Sequence, residues 1–215
     1  MKKAPNSFIR KYFKLIFTVL IVSMAIASTI FYFGIGSLIP QDGEKVVNSN
    51  KFYVLKGDPT DLQKQLFEKL STQLDQNIVH DFDAVDLVVQ NFVADYYTWD
   101  NKKTPYDIGG LTYIYGNENL NFYRTSRRYF YNSISTYLDK GISMTDLPEV
   151  DSVTTRSVNF GAGYDYYGDV LLSYYVEVDW TYKENNAIDM TKFPTFGAFT
   201  LIETEEGRYE IARFY

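Results

Sequence analysis

His80 is the only histidine of this chain, and Asp81, Asp83 and Asp86 follow it closely. Imidazole and carboxylate are the side chains of metal centres and of general acid–base catalysis. A zinc site needs further nitrogen or sulfur ligands, and the chain has no second histidine and no cysteine. The aspartate spacing resembles a calcium loop, but that loop also requires glycine at its sixth position and glutamate at its twelfth. Counted from Asp81, those positions hold Asp86 and Phe92. His80 therefore reads as a linker or cap between two helices, and the aspartates as capping residues at a helix start. Without cysteine there is no thiolate nucleophile either. No residue is assigned as catalytic, cofactor-binding or metal-binding, and the expectation is a protein that is not an enzyme.

Two other groups bear on binding. Arg124, Arg127 and Arg128 form a basic cluster, with Arg124 and Arg128 on one helical face at four-residue spacing. They suit an acidic partner segment, or a solvated face with internal pairing. Gly161, Ala162, Gly163 and Gly168 lie between two expected strands, whereas a dinucleotide site places its glycines between a strand and a helix. They mark a long hairpin or bulge carrying Tyr164, Tyr166 and Tyr167 in partly exposed positions. Tyrosine supplies large contact area at low entropy cost, so Tyr164, Tyr166, Tyr167, Arg124 and Arg128 are the candidate interface residues.

The elements that position these groups begin with Leu15–Ile39, a run of 25 residues without a charge. A helix of about 20 apolar residues spans a bilayer. Lys2, Lys3, Arg10, Lys11 and Lys14 precede it with no acidic residue among them. That flank holds the N-terminus in the cytoplasm and places the remaining chain outside. Ala25-Ile26-Ala27 before Ser28 resembles a signal-peptidase site, but the apolar run continues well beyond it, and its length favours an uncleaved anchor. The expected organisation is a cytoplasmic tail at 1–14, a transmembrane helix at 15–39, a linker at 40–59, a juxtamembrane amphipathic helix at 60–79 and an extracytoplasmic domain at 80–215.

All 27 acidic residues but only 16 of the 21 basic ones follow Pro40, a net charge of −11. Such a surface repels nucleic acid, so no direct contact with it is expected. The absence of cysteine rules out disulfides, as suits a Gram-positive envelope. Aromatic residues make up 18% of the chain, with 20 Tyr and 16 Phe, ample for a packed core.

Thr60-Asp61-Leu62-Gln63 is a capping-box sequence. Leu62, Leu66, Phe67, Leu70 and Leu74 then follow at helical spacing to about Gln76. Val85, Val88, Val89, Phe92, Val93 and Tyr96 predict a second helix running to about Trp99. A short helical turn at Leu111–Tyr115 and a third helix over Arg124–Asp139, stopped by Gly141, complete the first half. From Val150 the period becomes two. Strands are predicted over Ser152–Phe160, Val170–Tyr182, Phe196–Glu203 and Tyr209–Phe214, the last two joined by a tight turn at Glu205-Glu206-Gly207. Within Val170–Tyr182, the even-numbered residues from Val170 to Tyr182 face inward and the odd-numbered ones face water. The fold class is α+β, with helices packed on a curved four-stranded antiparallel sheet.

Val88-Val89-Gln90-Asn91-Phe92-Val93-Ala94-Asp95-Tyr96-Tyr97-Thr98-Trp99 resembles the helix that opens a nuclear-transport-factor-two-like (or cystatin-like) roll. Ile211-Ala212-Arg213-Phe214-Tyr215 resembles its closing strand. With the basic tail and single membrane helix, the chain resembles bitopic assembly components of type IV secretion and conjugation, of the TcpC/TraM type. The resemblance covers residues 80–215 at the level of architecture. It implies a single-pass cell-membrane scaffold subunit that self-associates and binds other proteins of an envelope complex, with no cofactor. Two alternatives follow from the same roll: a membrane-tethered sensor binding a small ligand in its cavity, and a surface hydrolase. The hydrolase requires a buried carboxylate such as Asp95 or Asp179, and the predicted registers turn both outward.

Overall fold

The computed structural model describes residues 45–76, 81–166 and 168–215. The expected cytoplasmic tail, the expected membrane helix, His80 and Tyr167 lie outside the described residues, as does the side chain of Tyr166. Among the described residues, no helix is long and apolar enough to cross a membrane.

The chain enters as a small hairpin, β1 (Val46–Ser49) and β2 (Val54–Lys56). Asn50 shapes its turn, its Oδ1 accepting from the amides of Phe52 and Tyr53 at 3.0 and 2.8 Å. Tyr53 is fully buried, and its hydroxyl donates to the Tyr209 carbonyl at 2.6 Å. The capping box forms as predicted. Thr60 Oγ1 accepts from the Gln63 amide at 3.3 Å, and Gln63 Oε1 accepts from the Thr60 amide at 2.7 Å. It opens α1 (Asp61–Leu74), which buries Leu66, Phe67, Leu70 and Leu74. The helix packs on α2 (Asp81–Tyr96).

All six predicted apolar positions of α2 are buried, and Ala84, Asn91 and Ala94 are buried with them. The helix is enclosed because α1 covers one side and the sheet another. Asn91 tolerates this by donating to the carbonyls of Leu66 and Leu87 at 3.0 and 2.8 Å. The predicted third helix begins five residues earlier than expected and is interrupted: α3 (Asn119–Ser126), one π-helical stretch (Arg127–Tyr131) and α4 (Asn132–Asp139). Gly141, at φ 84°, ends it as predicted.

The remaining strands are β3 (Val150–Phe160), β4 (Tyr164–Tyr166), β5 (Asp169–Leu171), β6 (Ser173–Tyr182), β7 (Phe196–Glu205) and β8 (Arg208–Phe214). The main sheet is antiparallel in the order β3-β6-β7-β8, while β4 and β5 pair separately as a hairpin. Together they give an α+β fold with helices on a four-stranded antiparallel sheet. On β6, Tyr174, Val176, Val178 and Trp180 face the helices and are buried. The predicted alternation fails before Tyr174. The strand breaks at Leu172, so Val170 and Leu172 are 73% and 55% exposed instead of inward.

The other sheet face is wet only in part. At one end Arg156 pairs with Asp179, and its guanidinium lies 4.5 Å from the Phe196 ring. At the other end Ser173 and its cross-strand partner Ile202 are buried. There the β4–β5 hairpin folds back, tied by the Gly163 amide donating to Ser173 Oγ at 3.2 Å. Gly161 permits the approach, since a Cβ there would sit 2.2 Å from Ser173 Oγ.

Candidate functional site

A cleft of about 400 Å³ opens between α3, its π-helical continuation and β8. Phe122, Ser126 and Phe130, spaced by four, supply one wall. Ile211 and Phe214 of β8 supply the facing wall, and Tyr129 and Tyr215 stand in the lining with 71% and 75% of their surface exposed. Tyr96 also lines it, and stacks on Phe92 at 5.2 Å and on Phe130 at 5.2 Å between ring centroids.

The rigidity of this wall comes from the end of α2. The Tyr131 hydroxyl donates to the Tyr96 carbonyl at 2.7 Å, a group that a helix end leaves without an intrahelical partner, and accepts from the Gly109 amide at 3.0 Å. Gly110, at φ 76°, lets its loop press on Phe92, and a Cβ there would lie 2.6 Å from the ring. The Gly110 amide donates to Asp95 Oδ2 at 2.7 Å. Asp95 Oδ1 accepts from Lys102 Nζ at 2.7 Å and from Gln63 Nε2 at 3.3 Å. Asp95 is thus not turned outward as its helical register predicts. The loop after α2 carries Lys102 back beneath it, with only 8% of that side chain exposed.

Chemically the cleft is suited to binding. The Tyr96 hydroxyl donates to Ser126 Oγ at 3.0 Å, and burial pushes the phenol up to about 12. Tyr96 therefore stays protonated near neutral pH and supplies no base to activate Ser126. Glu118 is the one acidic residue of the lining, and the Arg213 guanidinium lies instead over the Tyr164 ring. Among the described residues no group of three metal-ligating side chains comes together.

The predicted site residues are dispersed. Asp81 accepts from the hydroxyls of Tyr174 and Tyr209 at 2.8 and 2.7 Å, stapling the start of α2 to the sheet. Asp86 instead meets Thr155 and Gln90. Tyr164 is buried, at 7% exposure, under the Arg213 guanidinium at 5.0 Å, and offers no free interface side chain. The hairpin carrying it lies on the sheet, which a local reading of its glycines does not reveal. Arg124 and Arg128 are exposed on the helix that walls the cleft, and among the described residues neither pairs with a carboxylate. Arg127 lies 4.1 Å over the Tyr106 ring, and Arg128 lies 5.3 Å from the Tyr129 ring.

A second polar cluster joins Asp100, Glu149 and Lys183. Lys183 Nζ pairs with Glu149 Oε1 at 2.7 Å. Burial, then the neighbouring Glu149 carboxylate, pushes Asp100 up to about 7. The cleft itself went unrecognised in the sequence, where the spacing of Phe122, Ser126 and Phe130 was its only local signal. No family model, curated protein or solved structure matches this chain.

Proposed function

We propose that this protein is a membrane-anchored, non-enzymatic assembly subunit of a cell-envelope complex. The complex its organisation resembles is a conjugative transfer or type IV secretion channel. The described domain is its extracytoplasmic binding module, a roll of the nuclear-transport-factor-two type, able to self-associate and to dock other envelope proteins. The observation that carries this reading is the apolar cleft between α3 and β8, with Tyr129 and Tyr215 exposed in its lining. Exposed aromatics around an apolar pocket are the composition of a docking site. The uncharged run Leu15–Ile39 behind a basic flank supports the anchor.

The test is a photo-crosslinking amino acid at Thr125, in the cleft lining, in the full chain in native membranes. The expected result is a light-dependent adduct with another envelope protein or with a second copy. Absence of any protein adduct would refute the docking role. A second reading, a membrane-tethered sensor of a small ligand, draws on the cleft's volume, since ligand pockets run from about 300 to 1,000 Å³. Native mass spectrometry of the purified chain tests it, and a bound small molecule displaced by Ser126→Trp would favour it.

A further inference from the structure

We propose that the occupant of the cleft is an extended, acidic segment of a partner protein. It adds to the free edge of β8 as a strand and inserts one large apolar side chain beside Phe122 and Phe214. This inference rests on the docking reading above.

The argument begins with the backbone of β8, the last strand of the order β3-β6-β7-β8. The Tyr215 amide donates to the Ala198 carbonyl at 2.9 Å, and the Ala198 amide donates back at 3.2 Å. Tyr215 therefore faces β7, and alternation turns the amide and carbonyl of Phe214 away from it, toward the cleft side. Further back the same edge is covered. Ile114 bridges Ile211 in parallel, and the Tyr115 amide donates to the Ile211 carbonyl at 3.0 Å. The chain then departs through Gly116 into α3. Among the described residues this one bridge is the only pairing on the outer edge of β8, and none continues it where the cleft opens. An unpaired edge is a template for another strand.

The occupant's chemistry follows from the surroundings. The walls at Phe122, Phe130 and Phe214 select an apolar side chain. Arg124 and Arg128 do not line the cleft but stand next to its lining residues Thr125 and Tyr129, Arg128 at 5.3 Å from the Tyr129 ring; exposed and without a carboxylate partner among the described residues, they select acidic flanking residues. They do so in a region that is otherwise strongly acidic. A second copy using β8 itself fits poorly. Its sequence Arg208–Phe214 holds two arginines and one glutamate, and would oppose positive charge to positive charge. The chain's own basic N-terminal tail meets the same repulsion.

The test displays random twelve-residue peptides against the full chain in lipid nanodiscs. Recovered peptides are expected to alternate β-branched or aromatic residues with polar ones and to carry Asp or Glu at one end. The paired change Arg124→Glu and Arg128→Glu, at exposed positions, should weaken them about tenfold. N-methylation of the peptide backbone in one strand register should abolish binding, while methylation in the other should not. Recovery of no peptide, of peptides without acidic bias, or of peptides indifferent to methylation in both registers would overturn strand addition. If the Thr125 crosslink to an envelope protein nevertheless forms, the docking role stands and only the mode of binding is refuted. If the crosslink also fails, both are refuted.

Discussion

Replacing Asp95 by alanine tests whether this carboxylate is part of the scaffold behind the cleft. In the wild type both its oxygens are engaged, by Lys102, Gln63 and the Gly110 amide. Asp95→Ala leaves the Lys102 ammonium without its counter-ion, with only 8% of that side chain exposed. Breaking a buried pair from one side costs about 3–5 kcal/mol, and the 29% exposure of the Asp95 side chain points to the lower end, about 3 kcal/mol. For a domain of this size, that lowers the melting temperature by about 6–12 °C. Lys102→Met leaves a partly exposed carboxylate that still accepts from two N–H groups, and costs about 1–2 kcal/mol. The double variant removes both charges and orphans chiefly the Gly110 amide, a loss of about 2 kcal/mol. The two single losses should therefore exceed the double by about 2 kcal/mol, measured by urea unfolding of all four proteins. Additivity within about 0.5 kcal/mol would refute the coupled pair. A hydrolase using Asp95 would instead lose activity at unchanged stability.

Phe92→Ala removes a fully buried ring that touches Tyr96, Phe122, Phe199 and Phe214. It should cost about 3–5 kcal/mol in the same unfolding assay. Gly110→Ala combines a positive φ of 76° with a Cβ 2.6 Å from the Phe92 ring. It should destabilise by about 2 kcal/mol or more and weaken any cleft ligand, as read by calorimetry. Asp100, raised from 3.8 to about 7 by burial and by Glu149, binds its proton more tightly folded than unfolded. Its contribution to stability therefore falls as pH rises from about 4 to about 7 and is constant above, a change of about 1–2 kcal/mol after allowance for solvent screening. Urea midpoints at pH 5 and pH 8 should show this difference narrowed in Asp100→Asn.

Sequence alone determined the elements, because each rests on a local rule. Thr60 and Gln63 fix a helix start through bonds four residues wide, the three- and four-residue steps from Val85 to Tyr96 fix a buried face, and Gly141 fixes a stop. The strand period after Val150 likewise gave the antiparallel sheet and the α+β class. Tertiary structure decided where the pattern was broken or reused. The break at Leu172 turned Val170 outward, and folding the hairpin onto the sheet buried Tyr164. Asp95, outward by its predicted register, is covered by a returning loop that supplies Lys102 and Gly110 and makes it a structural anchor. The cleft belongs to this second category. Its walls come from residues around 96, 122 and 214, which no local period connects. It exists because the chain bridges β8 only at Ile114 before it leaves for α3, and only the packing of three distant segments shows which edge is left unpaired among the described residues.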